Sequence, residues 1–193
     1  MTNTWFTSDI HFSHKNIIKY CNRPFQSVDE MDRTLIDNWN AVVAPNDHVY
    51  QLGDFCFGKI DHIIKISNRL NGVKHYIYGN HDKEIINNEN LLFKSVDKLA
   101  SIDYYKKINI NGQTLILCHY AFSVWDKSHH GSWNLYGHSH STHEPYKCGK
   151  QMDVGVDNAA KLIGEYRPFS FTEIKRFMDA TDICTRDKHG MRD

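Results

Sequence analysis

Five short stretches of this chain carry side chains that bind metals or move protons: Asp9-Ile10-His11, Gly53-Asp54, Gly79-Asn80-His81-Asp82, Cys118-His119 and Gly137-His138-Ser139-His140. Imidazole nitrogens, carboxylate oxygens and an amide carbonyl together suit a divalent transition metal better than Ca²⁺. A carboxylate has two oxygens and can hold two ions about 3.5–4 Å apart, the role assigned here to Asp54. Asn80 offers a neutral carbonyl oxygen, His81 can carry a proton at neutral pH, and Asp82 is placed to orient that imidazole. Alone, Gly-Asn-His-Asp also reads as a polar turn; the four companion stretches, each just after an apolar or β-rich run, give it weight.

In this order the stretches resemble the pattern of the calcineurin-like metallophosphoesterases, namely Asp-x-His, Gly-Asp, Gly-Asn-His-Asp or -Glu, a lone His, and Gly-His-x-His. The pattern is matched in full from Asp9 to His140. Cys118-His119-Tyr120, followed by Trp125, His129, His130 and Trp133 and then Gly-His-Ser-His, resembles a subgroup of small bacterial and phage phosphoesterases and carries the likeness to Met178. The resemblance implies a four-layer α/β/β/α sandwich with two central mixed β-sheets. It implies that Asp9, His11, Asp54 and His140 hold one metal ion, and Asp54, Asn80, His119 and His138 a second. It further implies attack on a phosphate ester by a water shared between the ions, with His81, supported by Asp82, assisting the leaving group. Two divalent transition-metal ions are expected, Mn²⁺ first, with Fe²⁺, Zn²⁺ or Ni²⁺ also suited. A structural zinc site fits poorly, because such sites favour closed four-ligand sets rich in cysteine.

The elements that must position these residues can be read from periodicity. Trp5-Phe6-Thr7 reads as a first strand delivering Asp9 and His11, which would face one ion if the extended alternation persisted. Ser27-Val28-Asp29-Glu30 has the capping-box spacing, and Met31, Leu35, Trp39 and Val42 form the apolar stripe of a helix that Ala44-Pro45-Asn46-Asp47 breaks. His48 to Leu52 is a second strand, ending at Asp54. Ile60, Ile63, Ile64 and Leu70 suggest a helix before Asn71-Gly72, and Lys74 to Ile77 a third strand, so a parallel pair with a right-handed crossover is expected. Residues 85–93 read as mixed helix and loop. Ile102 to Ile110 and Gln113 to Cys118 flank Asn111-Gly112, a hairpin signal, because a type I′ turn needs two positive φ angles. Gln151 to Asp157 resembles the family's final sheet strand, and Ser170-Phe171-Thr172-Glu173 should cap a last helix to about Met178.

His14, Trp125 and His129 are the candidate substrate contacts. The stretch from Tyr120 to Trp133 reads either as a functional loop beside the metals or as a plug roofing the core. Thirteen histidines is high for 193 residues, and most lie near these stretches. Apolar residues at 40% and charged residues at 24% are ordinary globular values. One domain over residues 1–180 with a polar, loose tail over 181–193 is expected. No apolar run approaches a membrane span and no secretory signal opens the chain, so a cytoplasmic location is the expectation. Five scattered cysteines without a Cys-x-x-Cys pair suggest reduced thiols.

Formal net charge is zero, with 23 basic and 23 acidic residues. That offers no global field for long nucleic acid and favours a small phosphate ester, with a nucleotide in view, as the partner. A nuclease of the same fold, and a noncatalytic scaffold that binds a partner protein, are the alternatives. Nothing in the sequence fixes the oligomeric state.

Overall fold

The computed structural model describes residues 2–143 and 146–184. The expected α/β sandwich with two central mixed sheets forms. In the first sheet, β1 (Thr4–Thr7), β2 (His48–Gln51), β3 (Val73–Ile77) and β4 (Leu99–Asp103) run parallel in spatial order 4-3-2-1, and β9 (Phe169–Ser170) pairs antiparallel with β1. In the second, β5 (Tyr105–Ile110) and β6 (Gln113–Cys118) form the antiparallel hairpin, and β7 (Trp133–Tyr136) and β8 (Gln151–Asp153) continue in parallel. Asn111 and Gly112 both take positive φ, as the tight turn requires. The reading of one strand from Ile102 to Ile110 is corrected: the chain leaves the first sheet at Asp103 and enters the second at Tyr105, with Tyr104 exposed at the crossing.

Helices cover the first sheet because their buried stripes match its apolar face. In α2 (Val28–Val42), Ser27 Oγ caps Glu30 N–H, and Met31, Leu35, Ile36 and Trp39 face inward. Glu30 reaches back to Gln26 N–H, one residue beyond the Ser27 cap it was expected to close. Between β2 and β3, α3 (Ile60–Ser67) supplies the crossover, burying Ile63 and Ile66. A short α1 (Lys15–Tyr20), for which the sequence reading made no provision, follows β1, and α4 (Lys83–Asn87) and α5 (Glu89–Ser95) resolve the mixed stretch after β3.

Phe6 and Ile77 of the first sheet meet Leu115, Leu117, Leu135 and Met152 of the second in the layer between them. Ile174 and Met178 of α7 (Phe171–Asp179) complete that layer, and α6 (Val156–Ile163) precedes β9. On the other face of the second sheet lie Ile116, Asn134 and Gln151, one cross-strand row. Asn134 Oδ1 accepts Phe122 N–H and Gln151 Nε2 donates to Phe122 O, so the loop after β6 is fastened over that row.

The thiol expectation is also corrected. Cys148 and Cys184 are joined, with Cα atoms 5.5 Å apart, a separation a disulfide spans; Cys21, Cys56 and Cys118 are free. Two cysteines far apart in sequence meet because α7 returns the chain to the loop before β8, where Lys150 Nζ also donates to Thr181 O. Thr181 to Cys184 is therefore anchored, while residues 185–193 of the expected tail lie outside the described residues. No helix among the described residues is long and apolar enough to cross a membrane.

Ser170 and Glu173 form a reciprocal capping box, and Arg167 forks onto Glu173. Burial alone would raise the Glu173 carboxyl, but Arg167 and Ser170 hold it down at about 2. Because this pKa is depressed, the contribution is fully present above the ordinary value near 4.5 and is lost as pH falls through about 2. Glu173→Ala should lower unfolding stability by about 1–2 kcal/mol at pH 7. Urea titrations of wild type and variant should converge as pH drops from about 4.5 toward 2.

Candidate metal centre

The candidate residues arrive on turns rather than on extended strand. Asp9, His11, Asp54, His138 and His140, five of the seven expected ligands, have φ between 43° and 68°. Left-handed backbone is costly for a residue with a Cβ and persists only where the surroundings impose it. The expected alternation that would aim Asp9 and His11 together therefore fails. Convergence comes instead from pairing between loops: Asp9 N–H donates to Gly53 O, His11 N–H to Asp54 O, and Phe12 N–H to Phe55 O, each at 3.0 Å. Two glycines of the motifs have steric reasons. A Cβ on Gly79 would collide with Asp54 Oδ1, and one on Gly137 with Ser8 Oγ and Asp9 Oδ2.

Two clusters result. Asp9, His11 and His140 bring ligand atoms within 4.8 Å of one another, as do Asp54, His119 and His138. Asp54 Oδ2 lies between the clusters, 3.6 Å from His11 Nε2 and 3.7 Å from His119 Nε2. Asn80 Oδ1 stands 3.0 Å from His119 Nε2 and 2.9 Å from His138 Nδ1. All seven expected ligands are thus brought to one place at the strand ends.

The donor set fits a cation. His11 is buried, and neither of its ring nitrogens has a hydrogen-bond partner, an expensive condition unless something else accepts the lone pair. Burial first, then the neighbouring His140 and Arg23 charges, push His11 down to about 2, so its ring is neutral and can ligate. His119 Nδ1 faces Leu52 O at 2.8 Å, a contact that requires a proton there, so the Nε2 lone pair confronts Asn80 Oδ1 and Asp54 Oδ2, acceptors that a cation between them would satisfy. Asp9 is raised well above the usual carboxylate value, chiefly by burial and then by Asp153 and Asp54, which marks a surplus of negative groups.

Three residues outside the expected set hold the cluster. Arg23 is buried and donates to Asp9 O, Ile10 O and both oxygens of Asp157. Asp157 in turn accepts from His140 Nδ1 at 2.7 Å, which turns Nε2 toward Asp9. Burial opposes the charge of this pair, but the mutual hydrogen bond and Arg23 drive Asp157 to about 2, and Asp157 and Cys21 lift His140 to about 10. Asp153 accepts Ser141 and Gly155 N–H and shapes the turn bearing His138 and His140. Sequence offered no signal for Arg23, which reads as loop; Asp153 ends β8, the feature that exposed the other candidates, and Asp157 lies in the first turn of α6 just beyond it. Asp82 is corrected: its carboxylate does not meet the His81 ring but accepts Asp54, Phe55 and Gly79 N–H at 2.8–3.0 Å. It fixes the loops that carry Asp54 and Asn80, because three buried amides in turns have no strand partner.

A cleft of about 640 Å³ opens over the clusters. His81 and His14 line it, and Phe57 and Tyr20, which the sequence reading did not select, line it as well. Trp125 and His129 are not among its lining residues. Trp125 is instead buried, with Nε1 donating to Ser132 O, in the loop fastened over the second sheet. Of the two readings of that loop, the roof describes Trp125 and its neighbours, while Tyr120 at the loop's start stands beside the candidate ligands, its ring centroid 5.0 Å from that of His119 and 4.7 Å from that of His138.

No protein-family model matches the chain. The chain is 35% identical over 184 residues to the uncharacterized protein MJ1445 of Methanocaldococcus jannaschii, covering 93% of each. It is 31% identical over 190 residues to the Gene 66 protein of Mycobacterium phage L5, covering 84% of this chain and 90% of that protein. Among solved structures, the Aquifex aeolicus protein AQ665, of unknown function, superposes with a TM-score of 0.70 at 24% identity over 92% of this chain and all of that one. An archaeal phosphodiesterase superposes with a TM-score of 0.50 at 20% identity over 88% of this chain and all of that one. At such identities the two structures show a shared fold.

Removing Asp82 would strand three buried amides, each worth about 1–3 kcal/mol. Asp82→Ala should therefore lose about 3 kcal/mol or more in denaturant unfolding. A loss below about 1 kcal/mol would show that the amides find other partners.

Proposed function

This chain belongs to the family of MJ1445 and the L5 Gene 66 protein, and on that premise we propose that it is a metal-dependent hydrolase of phosphate esters. The preferred substrate in this reading is a small nucleotide-like phosphodiester or phosphomonoester. The observation that carries it is the pair of His/Asp clusters with Asp54 Oδ2 within 3.7 Å of an imidazole of each, and with His11 of the first cluster buried and unsatisfied on both ring nitrogens. A fold shared with an archaeal phosphodiesterase supports the same reaction class.

In this reading Asp9, His11, Asp54 and His140 would hold one divalent ion, and Asp54, Asn80, His119 and His138 the other. Such ions supply positive charge for the phosphoryl oxygens and lower the pKa of water. The chain's own contribution is positional. The His81 backbone N–H donates to Asp54 Oδ1 at 2.9 Å, so the backbone from which the exposed His81 ring extends is held beside the carboxylate between the clusters. Asp157 fixes the ring of His140, and Leu52 O that of His119. Hydrolysis adds the hydroxyl of water to phosphorus and breaks the ester P–O bond; the water's other proton leaves to solvent, and the departing oxygen takes a proton from His81, which is recharged from solvent.

Two substitutions separate the acid from the ligands. Asp54→Ala should lose bound metal and fall to background hydrolysis at every Mn²⁺ concentration. His81→Ala should keep its metal and lose on the order of 10²–10⁴ in rate. The His81 loss should shrink for a nitrophenyl ester, whose leaving oxygen needs little protonation. Metal analysis with rates on a chromogenic diester, a monoester and single-stranded DNA checks this. Turnover of DNA alone would favour a nuclease, absence of metal and of all turnover would favour a scaffold, and metal loss in the His81 variant would make His81 a ligand.

A further inference from the structure

The cleft has two unlike sides. One is the imidazole and carboxylate cluster. The other is a file of rings that begins at His81: Phe57 lies 5.3 Å from His81 between centroids, and His14 stacks on Phe57 at 3.9 Å with planes 16° apart. Tyr20 stands 6.2 Å beyond His14. Tyr20 is 68% exposed, so core packing does not account for its place at the cleft wall. Ile17 from the same helix adds apolar surface. No Lys or Arg lines the cleft among the described residues. A polyphosphate or an extended nucleic-acid strand is ordinarily met by cations along its path, whereas stacked rings recognise a planar, uncharged group.

We propose that Phe57, His14 and Tyr20 form the subsite for the ester's leaving alcohol, and that this alcohol carries a planar, uncharged ring, an aryl group or a nucleobase, with no further phosphate. The assignment rests on reading the clusters as the seat of the phosphoryl group. The file starts at His81, so the group it holds is the one whose oxygen receives the proton. Phe57 and His14 hold each other face to face, which gives the wall a fixed plane before any ligand arrives; Tyr20, on α1, supplies the outer ring.

Calorimetry on the full chain loaded with Mn²⁺ tests this without turnover. Phenylphosphonate and methylphosphonate present the same anionic head and differ only in the group offered to the wall. Wild type should bind phenylphosphonate about tenfold more tightly, and Tyr20→Ala and Phe57→Leu should each cut that preference by roughly three- to tenfold. A para-sulfonate on the phenyl ring should weaken binding, since no cation awaits it. A wild-type preference below about twofold, or one that survives in both variants, overturns the subsite, as does tighter binding of the sulfonate. Hydrolysis of bis(4-nitrophenyl) phosphate is scored separately. A phenyl preference without turnover sinks the hydrolase reading and leaves the subsite standing, and turnover without a preference does the reverse.

Discussion

Four carboxylates, Asp9, Asp54, Asp82 and Asp153, are buried at one end of this sandwich, and their mutual repulsion is the constraint around which the surrounding structure is arranged. A buried carboxylate is tolerable only when donors or cations meet it. Asp82 and Asp153 are met by backbone amides of the loops they hold. Asp9 accepts His138 N–H on both oxygens, and Asp54 accepts His81 N–H. Asp54 Oδ2 faces His11, whose two ring nitrogens have no hydrogen-bond partner of their own. The arrangement is charge-deficient in the direction a divalent cation would correct.

Holding these groups apart from water fixes much of the local backbone. The loops after β1, β2 and β7 turn through left-handed conformations that sterics disfavour. They are kept there by loop-to-loop hydrogen bonds and by the Arg23 guanidinium, which grips two carbonyls of the first loop and the carboxylate that aims His140. Gly79 and Gly137 let neighbouring loops close on Asp54 and Asp9 without a Cβ between them. Strain, close approach and a buried guanidinium thus serve one geometric end, presenting acceptors to a common point while the sheets remain regular beneath.

The cleft above divides its labour by chemistry. Charge is confined to the floor, and the wall toward α1 is built from rings and Ile17. Such a division suits a ligand with one anionic head and an uncharged body. The neutral balance of the whole chain agrees with it, because long-range attraction of a polyanion would need a basic field that 23 positive and 23 negative residues do not provide.

The sequence by itself determined the class of fold and the identity of the clustered residues. Capping at Ser27 and Ser170, the Asn111-Gly112 turn and the crossover from β2 to β3 are local signals, written in a few adjacent residues and fixed by backbone sterics and side-chain reach. The seven candidate ligands were legible because each sits in a short motif at a strand end. Tertiary structure alone decided the rest, because those features depend on residues far apart in the chain. Asp82 turned from the His81 ring to the amides of another loop, Arg23 found Asp157 across 134 positions, and Cys148 met Cys184. Trp125 and His129 left the cleft for the roof of the second sheet, since a long aromatic loop carries no periodicity to say which surface it will cover. Phe57 and Tyr20 came to the wall for the same reason: an isolated ring in a loop or at a helix end has no spacing rule, and only the packing of α1 against the loop after β2 gives it a neighbour.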